Sequence, residues 1–534
     1  MRLPAALKPL EHPVFRSLFA ANLITSLGTW MQNTGAGWLM TILRPNALAV
    51  SLVQAATILP ICLLALPAGA LADIVDRRRF LILVQIAMLA AAGLLAALTA
   101  VGLINAWSLL ALTFAIGIGS AMNGPAWQAI IPETVPRNDL GQAVALNSVS
   151  FNIARALGPA IAGAIVAAFG AALAFALNAV SFLAPVQALA MWRRQPTDSS
   201  NFPREHLIGA MAAGVRFVRS TPRVQAAIVR ISVYYLPTAA PWALLPLVVK
   251  QQLHLGAVVF GGLLGLMGAG AVGSGMLLPT LHRIFPRGDL TLAASLISCL
   301  GMLLLALSRD WPLAALAMLL FGSGWVIAGS LTQTATQLAA PPWVRARALA
   351  TYQLFSNGAL AVGAFGWGWL GTEVGLPWTM ATAAVLGIGL SLGAGRFALE
   401  AVSTEADAPP PEAHFLARAR SQILETERYS VPPEARELFL AIMAELQHVR
   451  GRAGARYWQL HKELGCREGW LEIWGMPNWG EHLRQAERLT EVDRAVLARA
   501  RSFQAQALPH QRTRYIAVAP VPPNPGRKRL RQRQ

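Results

Sequence analysis

The chain has 534 residues, 55% hydrophobic and 13% charged, with 16 tryptophans and a mean hydropathy of +0.48. This composition excludes a soluble globular protein for most of the length and fits a membrane bundle. The formal charge of +18 does not require a nucleic acid, because most of it lies before Glu400, in loops between apolar segments. Three cysteines exclude a disulfide framework: Cys62 and Cys299 fall in apolar segments, Cys466 in a polar tail, and none has zinc-ligand spacing. The N-terminus, MRLPAALKPLEHPVFRSLF, lacks the apolar core and cleavage site of a secretory signal, so no signal peptide is expected.

Twelve apolar segments follow, at about 16–42, 51–71, 80–100, 107–131, 140–168, 171–192, 226–249, 259–281, 290–308, 311–338, 348–370 and 376–399, each long enough to cross a bilayer as a helix. With the N-terminus in the cytoplasm, the connections after even-numbered segments lie inside. These carry Arg77, Arg78, Arg79, Arg137, Arg193, Arg194, Arg204, Arg216, Arg219, Arg223, Arg283, Arg287, Arg345 and Arg347, whereas the outer ones carry only Arg44, Lys250 and Arg309. The longest inner connection splits the segments six and six, and in it Leu207, Met211, Val215 and Val218 recur at helical spacing, as in a helix lying on the membrane surface. The expected organisation is an N-terminal six-helix half at 1–192, a cytoplasmic linker with an interfacial helix at 193–225, and a C-terminal six-helix half at 226–402. The halves repeat. A shift of about 205 positions carries Asn152 onto Asn357 and Gly158 onto Gly363, and one of about 206 carries Gly69, Leu71 and Arg77 onto Gly275, Leu277 and Arg283.

The fifth segment is the most informative. About 28 residues of helix rise roughly 42 Å, which puts Arg155 near the middle of a bilayer. A permanent cation at that depth faces a polar interior or a water-filled cavity and is a functional candidate. Pro159 removes a helical hydrogen bond one turn later, Gly158 and Gly163 allow a neighbouring helix to approach, and Asn147 and Asn152 add amides. The bland alternative is a kinked packing helix.

The loop GALADIVDRRRFL, from Gly69 to Leu81, resembles the signature loop of the major facilitator superfamily: Gly69, Leu71, Ala72, Asp73, Arg77 and Arg78 match, while Ile74 and Asp76 depart. Asp73 is expected to accept hydrogen bonds from the start of the eleventh helix near Ala348, with Arg77 and Arg78 among headgroups or carboxylates, as a cytoplasmic gate. The stretch ARALGPAIAG resembles the family's exporter motif through Gly158, Pro159 and Gly163, with Ala154 and Ala162 where glycines are usual. With ETVP around Glu133, the whole pattern is similar to the enterobactin-exporter-like, transmembrane secretion effector branch. The resemblance implies a twelve-helix bundle with alternating access about a central site, and export. Phe114 stands where many proton-coupled relatives have an arginine, and no Asp or Glu falls in the middle of a segment, so proton coupling is implied by the resemblance alone.

A site between bundled helices combines aromatic surface with a few convergent polar groups. The candidates are Trp30, Gln32, Asn33, Trp38, Asn123, Trp127, Gln128, Asn147, Asn152, Arg155, Tyr234, Tyr235, Trp242, Trp325, Gln333, Tyr352 and Asn357; Trp107 and Trp378 read as interface anchors, and Trp38 and Trp242 fit that role too. Arg155 stands above the others, since no carboxylate within the membrane segments neutralises it and a bound organic anion would.

After Glu400 the composition changes. A proline-rich linker at 403–413 leads to a βαββαβ pattern within 414–520: strands near 421–431, 456–462, 469–474 and 513–518, and helices near 433–450 and 478–501. That order is the ferredoxin-like arrangement. It resembles the tail domain of some members of the secretion branch and, more distantly, small dimeric α/β-barrel monooxygenases. His448, His461, His482 and His510 lack metal spacing, and no triad or phosphate loop appears, so no catalytic residue, metal or cofactor is expected. The residues 521–534 form a basic tail suited to anionic lipid.

The expected fold class is thus an all-α polytopic membrane bundle of twelve transmembrane helices plus a C-terminal α+β ferredoxin-like domain. The expected function is secondary-active export of a small amphipathic siderophore, secreted metabolite or drug across the bacterial inner membrane. Both termini are expected in the cytoplasm, with a homodimer through the tail domain as a further possibility, and no nucleic-acid partner. The rival reading is a membrane-tethered enzyme whose monooxygenase-like tail modifies a metabolite that the bundle anchors or delivers.

Overall fold

The computed structural model describes residues 5–192, 215, 217–340, 344–397, 423–466, 468–477, 485, 489, 491–503 and 512–516. They fall in a helical unit that ends at residue 402 and a small α/β unit after it. The linker at 403–413, most of the expected interfacial helix and the basic tail lie outside the described residues.

The helical unit contains α1 (Pro13–Leu43), α2 (Ala47–Ile74), α3 (Arg77–Ala100), α4 (Ala106–Ile130), α5 (Leu140–Phe169), α6 (Ala171–Ser181) and α7 (Leu183–Met191), the last two forming one segment interrupted at Phe182. After the linker come α8 (Pro222–Leu247), α9 (Ala257–Ile284), α10 (Arg287–Leu307), α11 (Trp311–Ala339), α12 (Arg345–Glu373) and α13 (Leu376–Ala394). Their starts follow local chemistry. Asn46 caps α2 by accepting from Leu48 and Ala49, Asp76 caps α3 by accepting from Arg79, and Asn105 and Ser108 form a capping box on α4.

Among the described residues, ten helical segments are long and apolar enough to cross a membrane. The two that fall short, α1 and α12, are long but carry polar faces: buried Gln32, Thr34 and Thr41 on α1, and Gln353 and Asn357 on α12. α1 packs on α5 and α6, α2 on α4, and α3 on α4 and α6. After the linker, α8 packs on α12 and α13, α9 on α11, and α10 on α11 and α13.

The repeat has structural counterparts. A Cβ on Gly158 would meet Trp30 on α1 at 2.6 Å, and one on Gly363 would meet the Leu236 carbonyl on α8. Asn152 and Asn357 each bond back to the carbonyl four residues earlier, Ser148 and Gln353. Gly170 and Gly375, about 205 positions apart, turn the chain at φ 81° and 85°, a conformation that glycine adopts without strain.

The two sets of helices meet where α2 packs on α12 and α5 on α9. Glycines permit close approach at both contacts: a Cβ on Gly163 would stand 2.6 Å from the Ala257 carbonyl and 2.9 Å from the Gly261 Cα, one on Gly268 would meet the Ala156 backbone, and one on Gly368 would meet Ser51. At the same end Trp38 stacks on Phe260 at 5.9 Å, so Trp38 is a packing residue rather than an interface anchor, while Lys250 donates to the Thr41 carbonyl at 2.7 Å and Gln251 to that of Pro45 at 3.1 Å. Trp107 and Trp378 are exposed, as anchors would be.

The α/β unit contains β1 (Ile423–Ser430), α14 (Arg436–Arg452), β2 (Tyr457–Lys462), β3 (Gly469–Met476), α15 (Glu491–Arg501) and β4 (Arg512–Ile516). Its sheet is antiparallel, in the order β2-β3-β1-β4. Phe439, Ile442, Met443, Leu446 and Val449 of α14 pack with Tyr429 and Trp470 of the sheet. Alternation along β1 turns Glu425 and Glu427 inward together with Ile423 and Tyr429. The second expected helix is described from Glu491 on; the first part of its range and His482 and His510 lie outside the described residues.

Candidate functional site

Aromatic rings gather in the middle of the helical unit. Trp30 on α1 lies 6.1 Å from Phe151 on α5 and 6.0 Å from Trp242 on α8. Trp242 meets Trp325 of α11 edge-on at 5.1 Å, and Tyr235 of α8 stacks on Trp325 at 4.5 Å. The cluster thus joins helices from both sides of the linker.

Arg155 belongs to it. One turn beyond Phe151 on α5, it is 9% exposed and within electrostatic reach of Tyr235. Its Nη2 donates to Asn152 Oδ1 at 2.8 Å, its Nε has no hydrogen-bond partner, and no carboxylate pairs with it among the described residues. Trp242 Nε1 is buried and unpartnered as well. The cluster therefore presents two unused donors beside apolar rings, a surface that favours a ligand with aromatic bulk and an anionic or strongly accepting group.

Next to this cluster is a half-open cavity of about 120 Å³ lined from α1, α3, α4, α5 and α7. Its polar lining includes Asn22, Thr25, Thr29, Gln85, Ser120 and Asn123; Trp30, Trp127 and Phe151 supply rings, so Trp30 and Phe151 form a wall common to cavity and cluster.

The remaining candidates have varied surroundings. Asn147 sits beside Asn22 at 3.5 Å and bonds back to Ala143. Asn33 and Asn357 are half-buried; Gln128 and Gln333 are exposed, and neither lines the cavity. Gln32 is taken up in a buried hydrogen bond with Asn178. Tyr234 is buried with its hydroxyl on Ser298 at 2.7 Å, and Tyr352 is buried with its hydroxyl on Thr332 at 2.9 Å. Gln85 was missing from the sequence candidates. As one amide in an apolar helix it differed in nothing from Gln32, Gln128 and Gln333, and only the packing of α3 on α4 sets it on Asn123 and against the cavity.

In the signature loop, Arg77 pairs with Glu133 at 2.8 Å and also donates to the Ala129 carbonyl. Arg78 departs from the expected headgroups or carboxylates: it donates to the carbonyls of Leu189 and Ala190, both at 2.7 Å, where a cation meets the negative end of α7. Both arginines therefore brace helices before the linker. The side chains of Gly69 and Asp73, and with them the expected contact near Ala348, lie outside the described residues. Ahead of α5, Asp139 accepts from Lys8 at 2.9 Å and lies 3.2 Å from His12 Nε2. The Lys8 hydrogen bond, then that of His12, holds the Asp139 carboxyl below the usual range.

The α/β unit has a different kind of polar centre. Arg450, 2% exposed, donates from Nε to Glu472 at 2.8 Å and from Nη2 to Glu427 at 3.0 Å, and lies 3.5 Å over the Trp474 ring. Tyr429 and Trp458 also donate to Glu472, at 2.8 and 2.9 Å. Burial alone would lower Arg450, but Glu472 and then Glu427 raise it overall.

Among solved structures, the chain is similar to a bacterial homologue of the human lysosomal transporter Spinster in an inward-facing, occupied conformation, with a TM-score of 0.60, 13% identity, and 73% of this chain and 98% of that chain covered. It is also similar to a POT family transporter in complex with a thioalcohol-conjugated peptide, with a TM-score of 0.59, 14% identity, and 71% and 94% covered. At such identities the likeness concerns the fold, that of a multi-pass membrane bundle.

The staphyloferrin A transporter of Staphylococcus aureus is 31% identical over 176 residues, covering 32% of this chain and 43% of that relative, so the chain spans less than half of its length. The enterobactin exporter EntS of Citrobacter koseri is 25% identical over 392 residues, covering 71% and 89%. The multidrug efflux pump Tap of Mycolicibacterium fortuitum is 25% identical over 217 residues, covering 39% and 53%. The family described as transmembrane secretion effector matches residues 4–521, nearly the whole chain. The chain is a member of the transmembrane secretion effector family.

Proposed function

We propose that the chain is a secondary-active exporter of a small amphipathic anion, of the siderophore or secreted-metabolite kind, working by alternating access. In this reading twelve spans form two halves of six, at 1–192 and 226–402, in the bacterial inner membrane with both termini in the cytoplasm. One observation carries it: Arg155 and Trp242 keep unused donors among aromatic rings from both sides of the linker, and among the described residues no carboxylate takes the arginine's charge. Asn152 orients Arg155, Tyr235 and Trp325 form the apolar wall, and the close approach of Gly163 to Gly261 seals one end. The names of the staphyloferrin A and enterobactin relatives support the substrate class.

For the α/β unit we propose a ferredoxin-like domain with a structural or dimerising role, supported by its element order and its β2-β3-β1-β4 sheet. The test is efflux from energised and de-energised cells, using anionic siderophore-like compounds and cationic dyes, with Arg155→Ala alongside. Gradient-dependent export of anions that fails in the variant is expected. Cation export that survives the mutation would return Arg155 to a packing role. Loss of all export, with turnover by the 414–520 domain alone, would favour the tethered enzyme.

A further inference from the structure

The cavity lined from α1, α3, α4, α5 and α7 holds a buried open acceptor, where the aromatic cluster holds buried open donors. Gln85 is 2% exposed; its Nε2 donates to Asn123 Oδ1 at 2.9 Å, which leaves Oε1 buried without a donor. Thr25 and Thr29 already donate their hydroxyl protons to the carbonyls of Ala21 and Thr25, both at 2.9 Å, so what they offer the cavity is lone pairs. Gln85 Oε1 is a buried acceptor left open at the cavity, as Arg155 Nε and Trp242 Nε1 are buried donors left open in the cluster.

Both features share Trp30 and Phe151, and Arg155 stands four residues from Phe151, about 6 Å of helix rise. One molecule therefore has a short path from the guanidinium to Gln85. No Asp or Glu lines the cavity, so a cationic donor would find no counter-charge there and a neutral one fits better. At about 120 Å³ the space admits several waters or a substituent of a few heavy atoms.

We propose that this cavity is a second subsite, holding a neutral hydrogen-bond-donating group, a hydroxyl or an amide N–H, on the same molecule whose anionic part lies against Arg155. The inference rests on the exporter reading and extends it: the substrate carries acid, ring and hydroxyl or amide in compact succession. Gln85 Oε1 receives the donor, and Trp30 and Phe151 sort the rings between the two polar ends.

The test uses the purified full chain and two probes, 6-hydroxy-2-naphthoate and 2-naphthoate, which share ring and carboxylate and differ by one hydroxyl at the far end of the ring. Equilibrium dialysis should show the hydroxylated probe binding about tenfold tighter, the scale of one hydrogen bond to an otherwise unpaired buried acceptor. Gln85→Met should bring the ratio near one while leaving the affinity for 2-naphthoate, which has no donor, unchanged. Ser120→Leu, which fills the cavity from α4, should do the same and covers the case in which the first variant does not fold. Arg155→Ala should weaken both probes and keep the ratio. A wild-type ratio near one, including no binding of either probe, overturns the subsite, as does a ratio that survives in either folded cavity variant. If Gln85→Met collapses the ratio but Arg155→Ala changes neither affinity, the subsite stands and the counter-charge reading falls.

Discussion

Arg450 and Arg155 are both buried arginines beside aromatic rings, and they differ in what completes them. Arg450 has two carboxylates and the face of Trp474; its neighbours Tyr429 and Trp458 satisfy what remains of Glu472. Arg155 has one amide and an unused Nε. A buried charge with a complete set of partners is part of the architecture. One whose set is incomplete, in a membrane bundle, is poised for a partner that comes and goes.

The sharpest way to break this comparison is to remove each cation. Arg450→Met removes the guanidinium that Glu472 and Glu427 share, leaving Glu427 with the more distant Arg501 at 3.9 Å, and should cost the α/β unit about 3–5 kcal/mol, read as loss of hydrogen-exchange protection in β1 and β3. Adding Glu427→Gln should restore part of it. Arg155→Met should act in the opposite sense: thermal stability changes by less than about 1 kcal/mol, or rises, while anion export falls by about tenfold or more. If Arg155→Met destabilises as Arg450→Met does, the contrast is void.

A smaller effect separates two neighbouring tyrosines. Tyr234→Phe deletes the buried bond to Ser298 and should cost about 1 kcal/mol with export unchanged. Tyr235→Ala removes a ring from the Trp325 stack and should weaken binding of an aromatic anion several-fold, checked by dialysis.

The smallest effect concerns the pairing ahead of α5. Asp139 is depressed, chiefly by Lys8, so its contribution is fully present above the ordinary carboxylate value near ~4 and is lost as pH falls through the lower folded value. Lys8 is raised, so its contribution fades only above its ordinary value near ~10.4. The segment Ala5–Glu11 should stay docked between pH 6 and 8 and release in acid, with Asp139→Asn weakening it at neutral pH; hydrogen exchange of this segment checks both.

How far the sequence led depended on the range of the interaction. The helices were legible as apolar runs, but their starts were less so: the segments expected from about 51, 80 and 107 begin at Ala47, Arg77 and Ala106, where Asn46, Asp76 and Asn105 cap them. Arg155 was legible because a lone cation in an apolar run is costly wherever its helix packs. The repeat showed in Gly158 and Gly363, each of which has a helix against it. Gln85 and Gln32 were not separable by sequence: both are amides in apolar helices, and only packing pairs Gln32 with Asn178 and leaves Gln85 Oε1 open. Tyr234 and Tyr235 are adjacent, so composition could not say which one bonds Ser298 and which one stacks on Trp325. In β1 the alternation of ILETERYS was plain, but that its glutamates face inward follows from Arg450, twenty-three residues beyond Glu427.

The most direct test of the central claim compares N-(2-naphthoyl)-alanine with its uncharged methyl ester, binding to wild type and to Arg155→Ala. If Arg155 supplies the substrate's counter-charge, wild type should favour the acid by about tenfold or more and the variant should bind the two alike. An undiminished preference for the acid in Arg155→Ala, or none in wild type, would contradict it.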